Sequence, residues 1–305
     1  MQNILSSNLN SNLVAQKSTN NIKTVLIMTF FVIVIGILGY FLAGVTGNNN
    51  FLYGLILGSI VTNIISYFFS DKIALSSAGA TPADEKKYSD LYTITKDLSE
   101  KAGIKMPKLF IINDPAPNAF ATGRNESHAS VAVTTGLLAL MNKSELEGVL
   151  AHELTHIKHK DILIMTVVVV LAGILSYMAH FAFSISNTKS SREGSGSLGL
   201  IVGLVASILI PFAAMMVQSA VSRKREFAAD AGGALISGYA EGLASALEKI
   251  GGYSQGLQRA TPATAHLYIS NPFGALKDGT SFFQKLFMTH PPIAERIAVL
   301  RNTTQ

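Results

Sequence analysis

Cysteine is absent from the 305-residue chain, and only 14% of its residues are charged. Without cysteine neither a disulfide framework nor a thiolate-ligated metal site can form, and a reducing compartment suits such a composition. A long basic tract is missing as well. The net charge is +5, but residues 71–161 hold eleven Lys/Arg against twelve Asp/Glu. That balance argues against a nucleic-acid groove. No internal repeat and no long low-complexity segment is present.

What the chain has in quantity is apolar sequence, at 49% of its residues, gathered into stretches 24–45, 51–70, 162–186 and 198–221. Each has the ~20 residues a helix needs to cross ~30 Å of hydrocarbon. The first is too long for the ~7–15-residue core of a cleaved signal peptide, and a second span follows at once. The turns at 47–50 and 187–197 carry little charge, with only Lys189, Arg192 and Glu193 in the second. Lys17, Lys23, Lys72, Lys158, Lys160 and the run Arg223-Lys-Arg225 stand at the opposite ends of the spans. Basic flanks stay cytosolic, so both termini are expected inside. The expected division is a cytosolic segment 1–23, a membrane hairpin 24–70, a soluble half 71–161, a second hairpin 162–222 and a second soluble half 223–305.

The soluble halves read as α+β, mainly helical, with a small sheet. Thr81-Pro82 opens an amphipathic run carrying Tyr88, Leu91, Ile94 and Leu98, stopped at Gly103. Lys108-Leu-Phe-Ile-Ile112 predicts a strand, and Ala119-Phe-Ala-Thr122 with Ser130-Val-Ala-Val-Thr134 predicts a hairpin. Helical pattern returns at Gly136, Ser144 with Glu147 forms a capping box for the next helix, and Pro291-Pro292 starts a last one with Ile293, Ile297 and Leu300 in register.

The helix capped by Ser144 carries His152-Glu153-Leu-Thr-His156. Histidines four apart share a helix face and can hold one metal ion, and the intervening glutamate can act as general base on a water there. A catalytic zinc needs three protein ligands and an open position. The HExxHxxGxxH register would place that third ligand at Ile162, which excludes the class. His159 is ~10 Å along the helix from His152 and reads as an interfacial histidine. Beyond the second hairpin, Glu226 and Asp230 again share one helix face. His156 lies six residues before the third span and Glu226 five after the fourth, so an antiparallel hairpin returns Glu226 to the histidines. Asp230 can then fix the tautomer of a ligand histidine, while Arg223, Lys224 and Arg225 read as headgroup anchors.

By these motifs the chain resembles the HtpX family of membrane metallopeptidases, relatives of the enzymes that trim prenylated CaaX proteins. The similarity rests on the four spans, Asn118-Ala-Phe-Ala-Thr-Gly123, the His152–His156 motif, Arg223-Lys-Arg-Glu-Phe-Ala-Ala-Asp230, and Thr289-His-Pro-Pro292 followed by Arg296. It implies one Zn2+ per chain on His152, His156 and Glu226, Glu153 as the catalytic base, and quality control of misfolded or damaged membrane proteins; a cysteine-free chain of this length with four spans suits a bacterial inner membrane. His290 reads from its place as a helix-capping position; the resemblance implies instead a stabiliser of the oxyanion. Asn118, Ala119, Phe120 and Ala121 read as an edge strand, and the resemblance implies that it holds substrate by main-chain pairing. His266 matches a family segment without an assigned role. His180 is expected to reach toward the far interface, His128 to be solvated, and Asp161 to pair locally with Lys158 or Lys160. The rival readings are a non-catalytic scaffold or transport subunit that keeps the zinc fold, and a CaaX-processing protease. Glu153 beside both histidines, and spans with few polar residues beyond Asn63 and His180, speak against the scaffold and the transporter.

Overall fold

The computed structural model describes residues 2–189, 209, 211–213, 215–216, 223–261, 264–274 and 291–302. Helix α1 (Gln2–Thr46) turns at Gly47, in the left-handed region at φ 67°, into α2 (Asn50–Ser77). The 45 residues of α1 give a rod of ~68 Å at 1.5 Å per residue, about twice the ~30 Å hydrocarbon thickness. The helix therefore runs well past its apolar section, Lys17–Gly44. Tyr40, Phe41, Leu57 and Phe68 of this pair are exposed, a surface that lipid rather than water accommodates. A third apolar helix, α6 (Asp161–Lys189), is the hub. Its apolar window is 72% buried, against 22% and 17% for the first two. Of the fourth expected span only residues 209, 211–213 and 215–216 are described; Leu209, Phe212, Ala213 and Met216 among them are buried in the same core. The rest of that stretch, and most of 187–197, lie outside the described residues.

The sheet holds β1 (Ala80–Pro82), β2 (Lys108–Ile112), β3 (Ala119–Gly123) and β4 (Ala129–Thr134) in the order β1-β2-β4-β3, with only β2 and β4 parallel. The expected hairpin is β3–β4, with Ala121 opposite Val131. Thr81-Pro82 does not open a helix. It belongs to edge strand β1, where proline's missing N–H is tolerated, and α3 (Ser89–Ala102) starts seven residues later. Leu91, Ile94 and Leu98 are its buried face, and Gly103 closes it at φ 68° in the left-handed cap that glycine favours.

After α4 (Thr135–Leu140) comes the metal-motif helix α5 (Lys143–His159). Its capping box is Asn142 with Glu145, two residues before the expected Ser144 and Glu147. Asn142 accepts from the Glu145 N–H at 2.9 Å and Glu145 accepts from the Asn142 N–H at 2.8 Å. Asparagine caps at least as well as serine, and the Ser144 hydroxyl simply donates to Asn142. Val149, Leu150, Leu154 and Ile157 bury α5 in the soluble core. Helices α7 (Arg223–Ser237) and α8 (Ala240–Gly251) pack on it where glycine permits close approach. A Cβ on Gly233 would stand 3.0 Å from the His152 nitrogen, and one on Gly148 only 2.6 Å from that of Leu243. Helix α9 (Ile293–Asn302) closes the layer from the α8 side.

Candidate metal centre

The α5 histidines face the start of α7. The Nε2 atoms of His152 and His156 lie 3.1 Å apart with their rings edge-on. The Glu226 carboxylate comes within 3.9 Å of the first and 3.7 Å of the second. Among the described residues these three form the one group of His, Asp or Glu side chains whose ligand atoms all lie within 4.8 Å of one another. Two nitrogens held ~2.0–2.1 Å from a tetrahedral ion stand ~3.3 Å apart, close to the spacing present. Two imidazoles and a carboxylate, all buried, fit a divalent ion that takes nitrogen and oxygen ligands.

Both rings are backed by a carboxylate. Asp230, one turn beyond Glu226, lies 2.9 Å from His152 Nδ1, as a charge contact rather than an aligned hydrogen bond. Asp161, the first residue of α6, hydrogen-bonds His156 Nδ1 at 3.0 Å. Each carboxylate has its own arginine. Arg296 of α9 donates to both Asp230 oxygens, at 2.9 and 2.7 Å, and to the Ile269 carbonyl at 2.8 Å. Arg225 lies 3.2 Å from Asp161.

Burial and these pairs set the charges. Burial pushes His152 down to about 4 and Glu153 up to about 7. His156 goes the other way, to about 9; its burial is outweighed by the hydrogen bond it donates to Asp161 and by the charge of Glu226. Burial would raise Asp230, but the Arg296 pair holds it well below the ordinary carboxylate range. Glu153 hydrogen-bonds the backbone N–H of Ala121, and its Oε1 has no hydrogen-bond partner. A buried carboxylate beside a ligand cluster, with one free oxygen and a raised affinity for protons, is suited to accept a proton and give it up again.

The sequence family model described as "Peptidase family M48" matches residues 85–304. The chain belongs to peptidase family M48. Among curated relatives, a "Protease HtpX homolog" of Caldanaerobacter subterraneus subsp. tengcongensis is 42% identical over 92% of this chain and 95% of its own length. Another, of Campylobacter curvus, is 43% identical over 90% and 95%. One of Campylobacter concisus is 46% identical over 80% and 84%. The chain is thus a membrane metallopeptidase of the M48 family, a hydrolase of peptide bonds, and the scaffold alternative is not favoured.

In this M48 peptidase the expected substrate strand is at the edge of the sheet but is not exposed. Residues 119–121 of β3 are at most 2% accessible, because α5 and α6 pack on the strand and residues 267–270 run beside it. The Ile269 N–H donates to the Ala119 carbonyl and Asn118 Nδ2 donates to the Ser270 carbonyl, at 3.0 and 3.3 Å. His266 is buried, and its Nε2 hydrogen-bonds the Met165 carbonyl at 3.0 Å. His159 is half-buried, and the Asn20 side chain donates to its carbonyl. His128 is exposed, as expected, and bonds Asn125. His290 lies outside the described residues, and the His180 side chain is not described.

Two expectations fail here. Asp161 does not pair with Lys158 or Lys160: Lys160 takes a left-handed turn at φ 60° that breaks α5 from α6 and swings the carboxylate back onto His156. Arg225 is no headgroup anchor; it is 4% accessible and turned inward to Asp161. The structural part of Arg296 was also missed, although a signal existed. It shares the face of Ile293 and Leu300 in a helix whose apolar register leaves no reason for a charge.

Proposed function

We propose that the bound ion is zinc and that the chain is a cytosolic-face endopeptidase acting on misfolded or damaged membrane proteins in a bacterial inner membrane. The observation that carries the reading is the convergence of His152, His156 and Glu226 around a buried Glu153, next to three long apolar helices. Zinc held there would supply Lewis acidity, polarising the scissile carbonyl and making a water more acidic. Glu153 takes the proton of the attacking water on its carboxylate and passes it to the departing amine. Water adds to the carbonyl carbon, the C–N bond breaks, and a carboxylate and an amine leave. Asp230 and Asp161, at the Nδ1 atoms of the two rings, would hold each Nε2 toward a bound ion.

The cytosolic orientation draws on the basic residues that flank the spans. It gains support from the reach of α1, whose Lys17 pairs with Glu126 at 2.8 Å, so the residues before the first span share a side with the soluble domain. The edge of β3 is our candidate for substrate pairing, since it already accepts an extended piece of its own chain at Ala119. Such pairing reads backbone rather than side chains, which suits a protease of unfolded segments. His290 is retained as the candidate oxyanion stabiliser.

The test is cleavage of an unfolded model membrane protein by detergent-purified enzyme. Activity should vanish with chelator and return with zinc. Glu153→Gln should keep its metal while the rate falls by ~10²–10⁴. Cleavage that persists in metal-free enzyme, or near-normal turnover in the variant, defeats the reading.

A further inference from the structure

A second carboxylate–arginine pair lies behind the metal cluster, and nothing in the motif itself calls for it. Asp161 is fully buried, yet its carboxylate is met by three elements. Its Oδ2 bonds His156 Nδ1 at 3.0 Å. Its Oδ1 accepts from the Asn20 side chain at 2.7 Å and lies 3.2 Å from Arg225 Nε. Asn20 belongs to α1, near the start of the first apolar span, and is itself 3% accessible. The same amide donates to the His159 carbonyl at 3.1 Å, at the last turn of α5. Arg225 immediately precedes the ligand Glu226 on α7.

A ligand imidazole coordinates through one nitrogen only if the other is held as a donor and the ring is fixed in plane. For His152 the carboxylate at that nitrogen is Asp230's, 2.9 Å away. For His156 the geometry leaves that task to Asp161, whose second oxygen is met by Arg225 and Asn20. We propose that Asp161 is the positioning residue of the second metal ligand, and that Asn20 makes the first membrane span part of the metal centre. This rests on the three-ligand reading of the site. In consequence, metal affinity depends on α1 being seated, although α1 contributes no ligand.

The experiment uses full-length protein in detergent or nanodiscs and reads the metal rather than proteolysis. Zinc affinity is measured by competition with a chromophoric chelator, and Co2+ is substituted to report ligand geometry through its visible bands. Asp161→Asn should weaken zinc binding on the order of 10–100-fold and shift the cobalt bands, whatever the accompanying change in melting of the metal-free protein. Asn20→Ala should shift the same bands in the same direction, with a smaller loss of affinity. Unaltered affinity and spectrum in Asp161→Asn overturns the proposal. So does a lowered melting temperature with unchanged cobalt bands, which a merely structural role would give. If Asp161→Asn does not fold, the Asn20→Ala spectrum decides, an unchanged one counting against the proposal. His156→Ala is the control that separates the two readings. If it keeps wild-type zinc affinity, the three-ligand site is wrong. If it loses zinc while Asp161→Asn does not, only the positioning role falls.

Discussion

Removing the Arg296 guanidinium while keeping its bulk, as in Arg296→Met, strips Asp230 of two charge-assisted hydrogen bonds of 2.9 and 2.7 Å and the Ile269 carbonyl of one of 2.8 Å. Asp230 is 1% accessible, so water cannot take the place of the lost donors. Breaking a buried pair from one side leaves an uncompensated charge and costs ~3–5 kcal/mol. At the ~2–4 °C per kcal/mol of a domain of 150–250 residues, the metal-free enzyme should melt ~6–20 °C lower. The carboxylate that backs His152 is also released, so zinc affinity should fall by ~10-fold or more. The double variant with Asp230→Asn separates these effects. A neutral amide leaves no buried charge, so part of the stability should return, whereas zinc affinity should stay low. The assay pairs differential scanning fluorimetry on metal-free protein with chelator competition for zinc. Melting of Arg296→Met within ~2 °C of wild type would refute the burial argument, and wild-type zinc affinity would refute the link from Arg296 to the ligand.

Glu226→Ala should lose metal and activity together, with Asp230→Asn losing less, on the order of 10–100-fold; metal analysis showing full occupancy in Glu226→Ala moves the third ligand elsewhere. Cysteines introduced at 47–50 and 187–197 should react with an impermeant thiol reagent from outside intact cells and one at Lys101 should not; periplasmic labelling of Lys101 overturns the orientation. For the sheet edge, Ala121→Pro also removes the N–H that Glu153 holds, so Ile269→Pro is the cleaner probe. It frees the Ala119 carbonyl from its internal donor and should lower KM for an unfolded substrate several-fold at unchanged zinc content. An unchanged KM with normal metal loading argues against pairing at Ala119.

Much of the site was legible because the spacing of its residues is imposed by helix geometry. Four-residue separations put His152 with His156 and Glu226 with Asp230, and the apolar stretches between gave the return path. The hairpin of β3 and β4 and the last helix were legible from alternation and from paired prolines. What escaped depended on tertiary partners. Asp161 reads locally as an acid among lysines, and only the left-handed break at Lys160 turns it inward. The cap of α5 fell two residues early because two S/T/N-x-x-E windows overlap and the asparagine one prevails. The covering of β3 by residues 267–270 joins segments some 150 residues apart, such as Ala119 and Ile269, and no local pattern announces it.

The order of the ligands along the chain bears on how the enzyme is born. Glu226 follows His156 by 70 residues, and the clamp Arg296 follows Glu226 by 70 more. At ~5–20 residues per second each interval lasts ~4–14 s. On the proposed ligand set, a chain still on the ribosome at residue 200 has both histidines and Glu153 but not Glu226, so it would have no complete site with which to cut neighbouring nascent chains. On that reading proteolytic competence would arrive late in synthesis, once the sequence on both sides of the α6 region has folded together.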